Sequence, residues 1–251
     1  MGVFHSEGIV LRSRIFGEAD KILTILTKDN GKIEAVARGA RRPRNRLVGA
    51  SQQFSYLRVL IFEGKSIAQL SQAEIIRSFS TLRDDLVKMA YAAWWSELID
   101  VFLPLAEVNP GVFRFLLAGL LVLEKAEEPA LVSRAFELRL LKYFGFQPSL
   151  DVCARCNRAV ERAIAGFSIE EGGVFCPRCY QEQPVQLLPL AGSSLQLLRD
   201  LYQADLRVVP QWTPEEKNQI EIGRLLFAFI EYLAEKPLKS LSFLQSLLAW
   251  T

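Results

Sequence analysis

Four cysteines carry the most specific chemistry in this chain. They fall as Cys153-x2-Cys156, nineteen intervening residues, then Cys176-x2-Cys179, and the 251-residue sequence has no others. A C-x2-C turn can aim two thiolates at one ion, and two such turns supply the closed tetrahedral set that zinc takes in structural sites. A catalytic zinc keeps an open position, which four thiolates do not leave. A redox C-x-x-C would need only one pair in a βαβ context. Two disulfides would suit an oxidising compartment, but the opening "MGVFHSEGIV" lacks a secretory signal. The expectation is one structural Zn2+ per chain, with "EGGV" (Glu171 to Val174) as a hairpin turn ahead of the second pair, in a zinc ribbon or knuckle. Arg155, Arg158 and Arg178 flank the cysteines as possible phosphate contacts, or as solvated surface.

The second feature is "VARGARRPRNR", Val36 to Arg46, with five arginines and no acid in eleven residues. Arginine forks pair bidentately with phosphate, and sequence-independent affinity for nucleic acid comes mainly from such contacts. Gly39, Pro43 and Asn45 among the arginines favour an exposed loop over a helix. Net charge follows the same division. Residues 1–79 hold thirteen Lys and Arg against seven Asp and Glu, or +6; residues 80–251 hold seventeen against twenty-one, or −4; together they give the chain's +2. A polyanion suits the N-terminal third. A solvated loop, or a patch that docks on an acidic protein, remains the alternative. Base stacking would fall to Phe16, Phe54, Tyr56 or Phe62.

Features of catalysis are missing from the sequence. His5 is the sole histidine, and there is no phosphate-cradling glycine loop and no nucleophile motif. The chain reads as a non-enzyme with no small-molecule substrate. Its most apolar run, Phe115 to Leu123, is nine residues, against the roughly twenty that a spanning helix needs. A cytoplasmic protein without membrane contact is expected.

The elements that must position these residues change type along the chain. "EGIVLRS", "DKILTILT" (Asp20 to Thr27), "KIEAVAR" (Lys32 to Arg38), "YLRVLIF" (Tyr56 to Phe62) and "SIAQLSQAEI" (Ser66 to Ile75) read as strands, with Asn30-Gly31 and "EGK" as turns. Five strands in this span suit a small Greek-key barrel of the OB type, whose face commonly tracks single strands. The arginines open a connection of about seventeen residues between the third and fourth strands. Helices follow. One is expected over Leu82 to Leu103, one from Asn109-Pro110 to about Lys125, and one over Pro129 to Phe144, ended by Gly145. Others are expected over Ser193 to Gln203, from a Thr213 capping box to about Glu235, and over Pro237 to Trp250. The fold class is α+β multidomain: a five-stranded OB-like barrel (1–79), a helical domain (80–150 and 185–251), and an inserted four-cysteine zinc module (151–184).

The run "EGIVLRSRIFGEADKILTILTKDNGKIEAVARGARRPRNRL", then "FELRLLKYFGFQPSLDVCARC" and "CPRCY", resembles the bacterial RecO family along the whole chain, in order as well as in motif. Some members of that family have lost the cysteines; this chain keeps all four. The resemblance implies a recombination mediator in DNA repair, associated with the nucleoid. Such a protein binds single- and double-stranded DNA, anneals complementary strands, contacts the C-terminal tail of the single-strand-binding protein SSB, and loads RecA together with RecR. DNA contact is expected from Arg38, Arg41, Arg42, Arg44 and Arg46, with Lys21 and Lys32. For the acidic SSB tail the third helix offers Arg134, Arg139 and Lys142 among Phe136, Leu140 and Phe144. Two further readings stay open on the residues: a zinc-stabilised protein-interaction scaffold, and an RNA-binding or RNA-annealing module.

Overall fold

The computed structural model describes residues 2–64, 66–161 and 164–248. Lys65, in the expected "EGK" turn, and Trp250, at the expected end of the last helix, lie outside them, as does Arg162 in the cysteine segment. By contacts the chain forms two compact units, 1–125 and 126–251.

The first unit opens with five strands: β1 (Val3–Phe16), β2 (Asp20–Thr27), β3 (Lys32–Ala37), β4 (Tyr56–Phe62) and β5 (Ala68–Arg77). They close a barrel in the order β1-β2-β3-β5-β4, antiparallel except for the β3–β5 pair. This is the five-stranded Greek-key arrangement expected of an OB-type barrel. Alternation explains the filling: Leu23 and Ile25 of β2, Ala35 and Ala37 of β3, and Leu57, Val59 and Ile61 of β4 are all buried in one core cluster. Gly31 makes the β2–β3 turn, with φ of +71°; its carbonyl accepts bonds from the Thr27 N–H and hydroxyl. β1 is longer than its apolar stretch suggests. Its first half pairs with β4 and its second half with β2, and the outer end of the β1–β2 ribbon is exposed. Helix α1 (Leu47–Ala50) lies in the connection between β3 and β4.

The single helix expected over Leu82 to Leu103 is two: α2 (Ser80–Asp84) and α3 (Leu86–Phe102). Asp85 between them is extended, and its carboxylate accepts from the N–H groups of Val87 and Lys88, both at 3.0 Å. An aspartate that bonds nearby backbone starts a helix better than it continues one. α4 (Pro110–Lys125) begins as expected, with the Asn109 side chain accepting from the Val112 N–H.

In the second unit α5 (Pro129–Tyr143) ends before Gly145, which has φ of +79°. A hairpin of β6 (Gly166–Ser168) and β7 (Gly173–Phe175) leads into α6 (Pro177–Glu182). α7 (Gly192–Gln203), α8 (Glu216–Ala234) and α9 (Lys239–Leu248) follow. The Thr213 capping box is not formed: α8 starts after Glu215, and no side chain caps it. α5 packs against α7 and α8 and is buried on nearly every face, polar positions included. Among the described residues no helix is long and apolar enough to cross a membrane.

Candidate nucleic-acid interface and metal centre

The cysteines converge. All four sulfurs lie within 4.8 Å of one another, and Cys156 and Cys176 are 3.9 Å apart. A tetrahedral ion with metal–sulfur bonds of about 2.3 Å would give sulfur–sulfur edges of about 3.8 Å, so the set fits one thiophilic ion. Two local structures aim them. Around the first pair the chain doubles back, with the Val152–Ala159 bridge and a bond from the Cys153 N–H to the Arg158 carbonyl; Asn157 makes the turn with φ of +56°. Cys176 follows β7 and caps α6, its sulfur accepting from the Cys179 N–H, with Pro177 in the first turn and Cys179 on the helix. Burial raises the Cys153 thiol, but the N–H groups of Cys176, Cys156 and Arg155 outweigh it and bring its pKa down to about 6. Cys179 is pushed up to about 12 by burial and by its bonds to the other sulfurs. Arg155 and Arg178 are already engaged, with Glu171 at 2.5 Å and Glu182 at 2.7 Å.

The five arginines also share one site. Arg38, Arg41, Arg42, Arg44 and Arg46 are all exposed on the turns between β3 and α1. Residues that carry no charge signal of their own set this loop. Asn45 donates to the Arg38 carbonyl (3.1 Å) and accepts from the Leu47 N–H (2.8 Å). Gly39, with φ of +67°, passes so close that a Cβ there would lie 2.5 Å from the Asn45 amide nitrogen. The Gly39 N–H donates to the Asp20 carboxylate (2.7 Å), and the Arg41 N–H to the Ala19 carbonyl (2.9 Å). The Arg41 guanidinium donates to the carbonyls of Glu18 (2.8 Å) and Gly17 (3.3 Å). Among the described residues no carboxylate pairs with Arg38, Arg42, Arg44 or Arg46. Beside the loop, over β4 and β5, runs an open cleft of about 780 Å³ whose lining includes His5, Arg38, Asn45, Arg46, Arg58 and Glu74. Asn45 was legible as a loop residue, but α1 after it was not expected, and nothing in sequence marked Asp20 or Arg58.

The two lysines differ from expectation. Lys21 is half-buried and donates to the Ser51 hydroxyl (3.1 Å); burial first, and the nearby charge of Arg41 second, lower its pKa. Lys32 does not face solvent. Its ammonium is buried against Asp100 of α3, 2.5 Å from the carbonyl and 3.0 Å from the carboxylate, because the outer side of the barrel here is covered by that helix. Of the stacking candidates, Phe54 is buried. Tyr56 donates its hydroxyl to Glu7 (2.7 Å) and meets Phe113 edge-on; burial and Glu7 push its pKa up to about 12.

On α5 the expected surface receptor is only partly on the surface. Arg134 and Phe136 are buried. Arg134 pairs with Glu137 at 2.7 Å and lies 4.1 Å over the Phe227 ring, and Ser133 donates to the same carboxylate. A central helix must bury its polar residues, and here the Glu137 carboxylate serves both Ser133 and one nitrogen of Arg134. Neither Arg134 nor Phe136 is available to a docking peptide. Arg139 is partly buried and donates to the Ala204 carbonyl (3.0 Å); Lys142 is exposed, near the Tyr202 ring.

Comparison with known proteins bears on this arrangement. The family described as Recombination protein O N terminal matches residues 1–79, and that described as Recombination protein O C terminal matches residues 83–242. A DNA repair protein RecO from Symbiobacterium thermophilum is 42% identical over 250 residues, 98% of each chain. One from Moorella thermoacetica is 36% identical over 252 residues, 98% of this chain and 92% of its own. One from Bacillus subtilis is 33% identical over 241 residues, 96% and 93%.

Proposed function

The chain belongs to the Recombination protein O family of DNA repair proteins, and from that premise we propose that it binds DNA through the arginine loop of its barrel and promotes pairing of complementary strands. The observation that carries this reading is the loop itself: five exposed arginines, held by backbone and amide bonds, none of them paired with a carboxylate among the described residues. Cations left unpaired in this way bind phosphate with little competition. Annealing forms no covalent bond. A cationic surface lowers the repulsion between two phosphate backbones, and the adjoining cleft leaves room for a strand beside it.

The rest of the reading rests on family membership. The protein works in the cytoplasm at the nucleoid, with RecR, to load RecA on SSB-coated strands. The cysteine tetrad binds one Zn2+, which supports the fold of its segment and supplies no chemistry to a substrate. The SSB tail docks at the C-terminal end of α5, where the exposed Lys142 would meet its carboxylates.

The test is the salt dependence of oligonucleotide binding. For single strands the log–log slope should be about −0.7 per phosphate neutralised. Replacing Arg38, Arg41, Arg42, Arg44 and Arg46 by alanine should flatten that slope and suppress annealing without lowering the melting temperature. An unchanged slope would move the interface elsewhere. Competition with RNA of the same sequence measures the preference for DNA.

A further inference from the structure

Two adjacent large apolar side chains stand out at the tip of the β1–β2 ribbon: Ile15 is 67% exposed and Phe16 50%. The tip is unpacked yet held in place. Gly17, with φ of +61°, has nothing within 4 Å of the point where a side chain would begin. Phe16 lies across the ladder from Asp20, the residue that anchors Gly39. The next two carbonyls, of Gly17 and Glu18, are those that Arg41 grips. Four hydrogen bonds therefore fasten the arginine loop to the ribbon end that displays Phe16.

The other aromatic side chains with a claim to base stacking are otherwise occupied or elsewhere. Phe54 is 1% exposed, and Tyr56 is tied to Glu7 and Phe113. Phe62 is exposed but pairs with Val3, at the opposite end of the fourteen-residue β1. An exposed ring fixed beside phosphate-binding cations matches the two halves of a nucleotide.

We infer that Phe16 is a stacking platform for an unpaired base of a single nucleic-acid strand, whose neighbouring phosphates lie on Arg41 and Arg42. This rests on the reading that the arginine loop binds nucleic acid. It adds a contact to the base, which phosphate binding alone does not make. Holding a base out of its own stack leaves its pairing edge free for an incoming strand.

The experiment uses the full-length protein, with Phe16→Ala, Phe16→Tyr and the five-arginine variant, on three probes. These are a single-stranded oligonucleotide carrying 2-aminopurine, a strand of equal length with abasic sites, and a duplex. Phe16→Ala should weaken single-strand binding about tenfold, or about 1.4 kcal/mol, with an unchanged salt slope and loss of the 2-aminopurine fluorescence change; Phe16→Tyr should restore both. On the abasic strand and the duplex, wild type and Phe16→Ala should bind alike. Wild-type binding of the 2-aminopurine strand by Phe16→Ala, while the five-arginine variant loses its slope, would overturn the stacking inference and leave the phosphate interface standing. An unchanged slope in the five-arginine variant would instead remove the reading beneath it. An equal loss on abasic strands, or a flattened slope in Phe16→Ala, would show that Phe16 only positions the arginines, which also overturns the inference.

Discussion

At the scale of single residues, the polar groups that sequence assigned to solvent divide in two. The loop arginines are where their composition put them, since Gly39, Pro43 and Asn45 exclude a regular element. Lys32 and Arg134 are not, because burial of a charge depends on a partner distant in sequence or on the other faces of its helix, neither of which a residue's own type reveals. Arg134 makes the point measurable. Its Nε and Nη2 have no hydrogen-bond partner among the described residues, and it is held by Glu137 and the Phe227 ring. Arg134→Ala would leave the Glu137 carboxylate buried with its cation gone, a loss of about 3–5 kcal/mol. Denaturant unfolding should register it as a fall in midpoint. The double change Arg134→Met with Glu137→Leu should recover most of that loss, since packed apolar groups of similar volume replace a buried pair at little cost.

Among elements, the cores of the five strands and the Asn30-Gly31 turn were legible because strand-forming runs and turn residues are local signals, while the ends of β1 were not, since they extend through polar and exposed positions. The break at Asp85 was not, since the run around it lacks Gly and Pro and a cap in mid-run is visible only from its bonds. The cysteine segment was the most legible part, and it is the element most dependent on something beyond side-chain packing. β6 and β7 are three residues each, too short to hold together as an isolated hairpin. Cys176→Ser, or exhaustive chelation of the wild type, should therefore raise amide exchange across 150–180 while exchange in the barrel strands stays as it was. Elemental analysis of gently purified, reduced protein should return one zinc per chain; a metal-free protein with a protected segment would refute a structural ion.

For the molecule as a whole, the first compact unit runs to Lys125, well past the last barrel strand. α3 belongs with the barrel energetically: Asp100 satisfies Lys32, and the Ala106 N–H bonds the Lys32 carbonyl. A fragment of residues 1–125 should fold cooperatively and keep the salt-dependent binding of single strands, whereas residues 1–79 would leave the Lys32 ammonium without its partner. Circular dichroism melts and oligonucleotide titrations of the two fragments decide this, and a folded, binding-competent 1–79 would contradict it. The double pairing of β1 also sets an order of assembly. Its second half meets β2 through a short turn, but Val3 must wait for Phe62. Loops close more slowly as their ends lie farther apart in sequence. A chain growing from its amino end can thus complete the ribbon and fasten Gly39 to Asp20 while the wall that seals the barrel is still unsynthesised, so the arginine-bearing arm is older, on the folding clock, than the scaffold that carries it.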